Sequence, residues 1–204
     1  MVIDVFADFI CPWCLIGMTR LEQVLVDDKD VEVRLHPFLL DPSIGKEGRD
    51  IMKMLRERYG RDPREMWSVV EEHARDAGIE LDLSKQPMAY RAVDAHTLVR
   101  HAHDKGTQRA LAQALYRAYF LAAQNITERA VLKDVARGHG FDDAEVDRIL
   151  DDVGEARDTE TSCLAASEQG VRGVPLFVFN EKLAVSGAQK NEVLRAAMVK
   201  ASSA

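Results

Sequence analysis

Apolar residues change their spacing twice along this chain, and the changes divide it into three stretches. Val2, Ile3, Val5, Phe6 and Ala7 make a short apolar run broken only by Asp4, which predicts a strand. Residues 31–39, Val-Glu-Val-Arg-Leu-His-Pro-Phe-Leu, alternate with period two until Pro37 interrupts them, and predict a second. Between the two, Leu15, Met18, Leu21, Leu25 and Val26 recur at helical spacing over 12–26. Together they read as a β-α-β unit whose first turn carries Cys11, with Pro12 near the first helical position, where a missing N–H costs nothing.

After Asp-Pro-Ser-Ile-Gly-Lys-Glu-Gly at 41–48 the pattern becomes helix upon helix to about residue 153. Asp62-Pro63-Arg64-Glu65 combines an N-cap, a first-turn proline and a capping-box glutamate ahead of one face made by Met66, Val69, Val70, His73 and Ala77. Ala95, Leu98, Val99 and Ala102 form a second stripe, Leu111, Leu115, Tyr119 and Ala122 a third. Val146, Ile149, Leu150 and Val153 follow the capping box Asp142 to Glu145. The last stretch returns to strands. Val-Pro-Leu-Phe-Val-Phe at 174–179 suits a central strand, Asn180-Glu181-Lys182 a turn, and Leu-Ala-Val-Ser at 183–186 the second arm of a hairpin. Ser186 and Gln189 then read as a capping box opening a final helix with Val193, Leu194 and Ala197 inward, and the Ala-Ser-Ser-Ala tail as disordered. The order is β-α-β, helical block, helix, β-β-α.

With 204 residues, 47% hydrophobic and 30% charged, the chain buries a real core without disulfides. A net charge of −7 and the absence of a polybasic stretch argue against nucleic acid and membrane as partners. The N-terminus has no basic region ahead of its apolar residues and no run approaches the roughly 18 residues of a membrane span, so a cytoplasmic location is expected. The cysteines are Cys11, Cys14 and Cys163: too few for a disulfide framework, and in a reducing compartment a close pair points to catalysis or metal binding.

Cys11 and Cys14 enclose Pro12 and Trp13. At a helix start Cys11 faces unpaired N–H groups and the positive end of the helix dipole, which favours its thiolate; Asp8, if close, opposes it. Cys14, three residues on, shares its face and is expected to be the more buried. Thiol–disulfide exchange needs this arrangement: one thiolate attacks a substrate disulfide and the second thiol resolves the mixed disulfide. Two blander readings compete. A zinc site needs four ligands, and beyond the three cysteines only His96 and His101, far along the chain, have a permitted spacing; these two and His103 are expected on the polar side of their helix. The pair could also be core that happens to contain sulfur. A C-x-x-C that follows a strand and opens a helix favours exchange over both.

Gly173-Val174-Pro175 precedes the apolar strand. A proline there is permitted as a strand cap. The functional reading is a cis Val174–Pro175 bond that offers Val174 backbone groups to an extended substrate. Trp13 divides evenly between a substrate platform and packing under the helical block. Cys163, in phase with Ala156, Ala166 and Gly170, reads as a buried inert thiol. Asn125-Ile126-Thr127 matches a glycosylation acceptor, but without a secretory route Thr127 reads as an N-cap. Tyr116, Tyr119 and Phe120 form an aromatic stripe of core, part of which could line a groove with Met52, Met54 and Leu55.

These features resemble the DsbA group of thioredoxin-fold proteins, in its FrnE-like branch, with 2-hydroxychromene-2-carboxylate isomerases and kappa-class glutathione transferases as more distant kin. The likeness is carried by Asp-Phe-Ile-Cys-Pro-Trp-Cys-Leu-Ile-Gly at 8–17, Asp-Ala-His-Thr-Leu-Val-Arg-His-Ala at 94–102, residues 114–126 and residues 170–189. It implies an α/β thioredoxin-like fold (β-α-β … β-β-α) interrupted by a large all-helical insertion, with residues 1–45 and 154–204 as the thioredoxin-like domain and 46–153 as the insertion. It also implies Cys11 as attacking thiol, Cys14 as resolving thiol, and Pro12, Trp13, Val174 and Pro175 on the substrate. Trp13 replaces the histidine common between the cysteines of DsbA-type oxidases, and both cysteines are present where the glutathione-using relatives typically have serine first. The expected function is therefore a disulfide oxidoreductase without metal or organic cofactor, glutathione serving at most as co-substrate. Its partner would be a disulfide-containing protein or small thiol, and the chain a monomer or homodimer. The alternatives are a glutathione-dependent isomerase or transferase and a redox-inactive peptide-binding module.

Overall fold

The computed structural model describes residues 1–203 apart from 27, 29, 46 and 61. Strand β1 (Val2–Ala7) pairs in parallel with β2 (Glu32–Pro37) and antiparallel with β5 (Leu176–Phe179), which forms a hairpin with β6 (Leu183–Ser186), so the sheet order is β2-β1-β5-β6. Side-chain alternation then assigns two faces. Ile3, Val5, Phe177 and Phe179 point into the main core with the buried side of α1 (Pro12–Val24) and with Leu194 and Ala197 of α9 (Asn191–Ser203). Phe6 and Leu176 point the other way, onto Phe38, Val171 and Ala166 of α8 (Val153–Glu168).

One close approach sets how α1 lies on the sheet. A Cβ on Gly17 would stand 2.9 Å from Pro175 Cγ and 3.1 Å from Phe177 Cζ, so only glycine lets the helix sit this near the start of β5. The buried Arg20 guanidinium fastens the same helix outward, donating to the Ala188 carbonyl at 2.7 Å and the His73 carbonyl at 3.2 Å.

Between β2 and α8 the chain forms α2 (Ile51–Tyr59), α3 (Pro63–Asp76), α4 (Val93–His101), α5 (Gln108–Tyr116), α6 (Arg129–Arg137) and α7 (Asp143–Asp151), and α5 runs on into a π-helical turn at Arg117–Leu121. One element breaks the helical run: Arg49–Asp50 (β3) and Met88–Ala89 (β4) pair as an antiparallel ribbon. Gly48 at φ +75 makes the turn into it, under the Tyr90 ring, where a Cβ would be 2.8 Å from Cδ1. Two-residue strands carry too short an alternation to be seen in a sequence.

Local polar chemistry moves several boundaries. Asp62 and Asp142 cap α3 and α7, accepting from Arg64 N and Glu145 N. Thr127 is no cap: Asn125 Oδ1 accepts from its N–H and its hydroxyl at 3.0 and 2.6 Å in an Asx turn, and α6 opens at Arg129. Ser186 and Gln189 do not open the final helix either. The Gln189 amide donates back to the Ser186 carbonyl, α9 begins at Asn191, and Val193 faces outward. Residues 201–203, read as a disordered tail, are the last turn of α9. Ala201 is buried, and its carbonyl accepts from Asn180 Nδ2 at 3.1 Å while Asn180 Oδ1 accepts from Val2 N. Ala204 lies outside the described residues.

Candidate active site

The sharp exit from β1 into α1 places the two cysteines. Cys11 is the N-cap of α1, with φ −93 and ψ 112 and no side-chain cap of its own, and its carbonyl accepts from Cys14 N at 3.0 Å. Pro12 fills the first helical position. The Cys11 thiol points at the β5 loop and donates to the Val174 carbonyl at 3.7 Å; the Val174–Pro175 bond that follows is cis. Cys14 is fully buried in the first turn, within hydrogen-bonding reach of Cys11. Burial, then the Cys11 thiol beside it, pushes the Cys14 thiol well above its ordinary pKa, so at rest Cys14 holds its proton. Cys163 does not line the cavity before Cys11; burial, then the Asp8 charge, pushes its thiol up to about 12.

Behind Cys14 lies a buried polar group whose meeting the sequence does not show, although it singles out Asp8 as a charge near Cys11 and Tyr116 as core. Asp8 is fully buried, and its carboxylate accepts from Ile10 N at 3.3 Å and Leu40 N at 2.8 Å. His96 stands 3.6 Å from the same carboxylate, in ion-pair range. It is 5% exposed and packed on the Phe9 ring, which corrects its expected place on the polar side of α4. The signal was present: His96 lies four residues after Ala92 and three before Val99, both buried, and therefore in phase with the apolar stripe. Tyr116, on the next helix, donates its hydroxyl to the Asp8 carbonyl at 3.4 Å.

In front of Cys11 opens a cavity of about 280 Å³. Ile10, Cys11, Pro12, Trp13 and Val174 form its floor, with Met54 and Leu55 of α2, Met66 and Trp67 of α3, and Phe120 around it; Asp41 and Arg58 are its charged groups. Met52, expected beside Met54, is not in the lining, because it falls on another side of α2. No residue of α2 is fully buried, so the helix covers the cavity without being packed into the core. Trp13 does both things asked of it, lining the cavity and setting its edge on His73 with centroids 5.2 Å apart. Pro175 contributes from behind, against α1, and Pro12, Trp13 and Val174 from the cavity side. Among the described residues no three His, Cys, Asp or Glu side chains converge as metal ligands.

Comparison with known proteins finds likenesses over nearly the whole chain. A family model described as DSBA-like thioredoxin domain matches residues 2–199. The uncharacterized protein YwbO of Bacillus subtilis (strain 168) is 26% identical over 205 residues, covering 96% of this chain and 94% of its own. Among solved structures, the probable DsbA oxidoreductase SCO1869 from Streptomyces coelicolor superposes with a TM-score of 0.89 at 29% identity, over 100% of this chain and 90% of that one. A 2-hydroxychromene-2-carboxylate isomerase superposes with a TM-score of 0.74 at 18% identity, over 98% and 95%, a likeness of fold.

Proposed function

Since this chain belongs to the DSBA-like thioredoxin domain family, we propose that it is a thiol–disulfide oxidoreductase of the FrnE-like branch, working in the reducing cytoplasm on a protein or small-molecule disulfide. One observation carries the reading: Cys11 heads α1 and opens onto a cavity, while Cys14 is sealed directly behind it. The Cys11 thiolate attacks one sulfur of the substrate disulfide, forming a mixed disulfide and releasing the other sulfur as thiolate. Cys14 then attacks Cys11 Sγ; the Cys11–Cys14 bond forms, the bond to substrate breaks, and the substrate leaves as two thiols while the pair is oxidised. A thiol reductant returns the pair to its dithiol. Pro12 and Trp13 supply an apolar floor, and the Val174 carbonyl, with Pro175 holding its loop, meets the substrate backbone.

The test is reduction of insulin or of a small disulfide. Cys11→Ser is expected to abolish it, and Cys14→Ser to trap the substrate on Cys11 as a mixed disulfide visible by mass spectrometry. Unchanged reduction by both variants would end this reading. The direction in the cell follows from the potential of the pair: a value near about −270 mV makes a reductase, one near about −120 mV an oxidant. A second reading, glutathione-dependent isomerisation of a small apolar molecule, draws support from the enclosed, mainly apolar cavity. It predicts isomerase activity that survives Cys14→Ser.

A further inference from the structure

The cavity in front of Cys11 selects by size and by charge. An apolar cavity of about 150 Å³ holds one benzene ring. The cavity here, at about 280 Å³, therefore has room for one substituted ring or a fused pair, and takes a single group of a substrate rather than a length of peptide. Trp13, Trp67 and Phe120 line it, and aromatic faces and edges are what a flat apolar ring packs against best.

The charge comes from α2. Ile51, Met54, Leu55 and Arg58 recur at i, i+3, i+4 and i+7 and all line the cavity, so the face that α2 turns to it carries three apolar side chains and ends in a guanidinium. Lys53, Arg56 and Glu57, the other charged residues of this helix, are not in the lining. Arg58 makes no ion pair or hydrogen bond among the described residues. Its guanidinium carbon lies over the Tyr59 ring, 5.6 Å from the centroid, and its fork of N–H donors has no acceptor.

Two further polar side chains of the lining are committed elsewhere. Asp41 accepts from Ser43 N at 3.0 Å and from the Ser43 hydroxyl, and pairs with Arg49 at 3.5 Å. Gln86 Nε2 donates to the Tyr119 carbonyl at 3.0 Å, and its Oε1 accepts from Met88 N at 3.3 Å. The cavity thus offers one open polar handle, a planar cation suited to a carboxylate, beyond an apolar chamber that begins at the Cys11 sulfur.

We propose that the substrate is an aromatic disulfide bearing an acidic group on its ring, and that Arg58 selects it. This rests on the exchange reading above and names its substrate class. The Cys11 thiolate attacks the sulfur that carries the ring, and the other half leaves as a thiolate. The ring stays in the cavity as a mixed disulfide on Cys11, its carboxylate on the Arg58 fork. Cys14 then attacks Cys11 Sγ; the Cys11–Cys14 bond forms, the bond to the aryl sulfur breaks, and an arenethiolate leaves. Two electrons pass from the dithiol to the substrate disulfide, and the two thiol protons go to the released thiolates or to solvent.

The experiment compares two disulfides that differ only in charge. Reduced protein is mixed with increasing 5,5′-dithiobis(2-nitrobenzoate) or with its uncharged dicarboxamide, and chromophore release gives a half-saturating concentration for each. The parent is expected to half-saturate at about tenfold less of the carboxylate, with the gap narrowing as salt rises. In Arg58→Met, which keeps an apolar stem, the ratio is expected to fall to near one, and in Arg58→Lys to recover in part. Trp67→Ala should weaken both disulfides alike and leave the ratio standing. Oxidised glutathione, anionic but without a ring, should be reduced without saturating over the same range. Equal half-saturation of the parent by the two disulfides, a ratio that survives Arg58→Met, or tighter saturation by oxidised glutathione overturns the proposal and leaves the exchange reading intact. A parent that releases no second chromophore per cysteine pair overturns the exchange reading, and the proposal with it.

Discussion

The two cysteines stand three residues apart and look into opposite surroundings. Behind Cys14 the molecule is packed shut: Asp8, Tyr116 and Cys14 are essentially inaccessible, and nearly every polar atom has a backbone partner at a fixed distance. Before Cys11 it is loose: α2 covers an apolar cavity with no residue of its own fully buried. The contrast divides the labour of the site. On the proposed exchange reading, the resolving thiol is placed where groups cannot move, and selection of a disulfide partner is placed where a helix makes few commitments to the core.

Changes that strike the packed side should therefore cost stability, and changes on the loose side should cost selectivity. The largest effect is expected from Gly17→Ala. Its methyl must displace α1 from Pro175 and Phe177, for about 1–3 kcal/mol of stability in urea denaturation, with slower exchange because Cys11 moves with the helix. Stability unchanged within error would show that α1 is not wedged on the sheet. Next comes the cavity. Met54→Ala with Leu55→Ala should change stability little and lower kcat/KM for an aromatic disulfide about tenfold, while a small polar disulfide is reduced as before. Equal losses on both substrates would mean that α2 supports the site and does not select.

A smaller effect tests a polar contact between α4 and α8. His101 beside Glu155, then Arg100, holds that carboxyl below its ordinary pKa. A lowered carboxyl stabilises the fold above about pH 4.3 and loses that contribution as pH falls through its folded value. Glu155→Gln should thus be less stable than the parent near neutrality, by under about 1 kcal/mol, with the gap closing in acid. The smallest effect is none at all: with its thiol pushed up to about 12, Cys163 should resist iodoacetamide near pH 8 in the folded protein and react once it is unfolded. Fast labelling of the folded chain would place Cys163 outside the packed side.

Much of this is legible in the sequence. The β-α-β and β-β-α ends followed from two periods, and the head of α1 from Cys11-Pro12 after a strand. What was misread shares a cause. Thr127, Ser186 and Gln189 have the residue types of helix caps, but the same side chains close turns just as well, and only the path of the chain decides which backbone group they meet. The tail was given to solvent on composition, whereas Asn180, some twenty residues earlier, holds its last turn.

By itself, the order of residues determined the longer elements and their sequence along the chain and the pairing of two thiols in one helical turn, because these depend on neighbours a few positions apart. Only the tertiary structure decided that His96 and Tyr116 meet Asp8 behind Cys14, and that α2 and α3 enclose a cavity before Cys11. Those meetings join residues dozens of positions distant, and a buried charge shows itself as a partner only when the side chain that answers it has been folded into place.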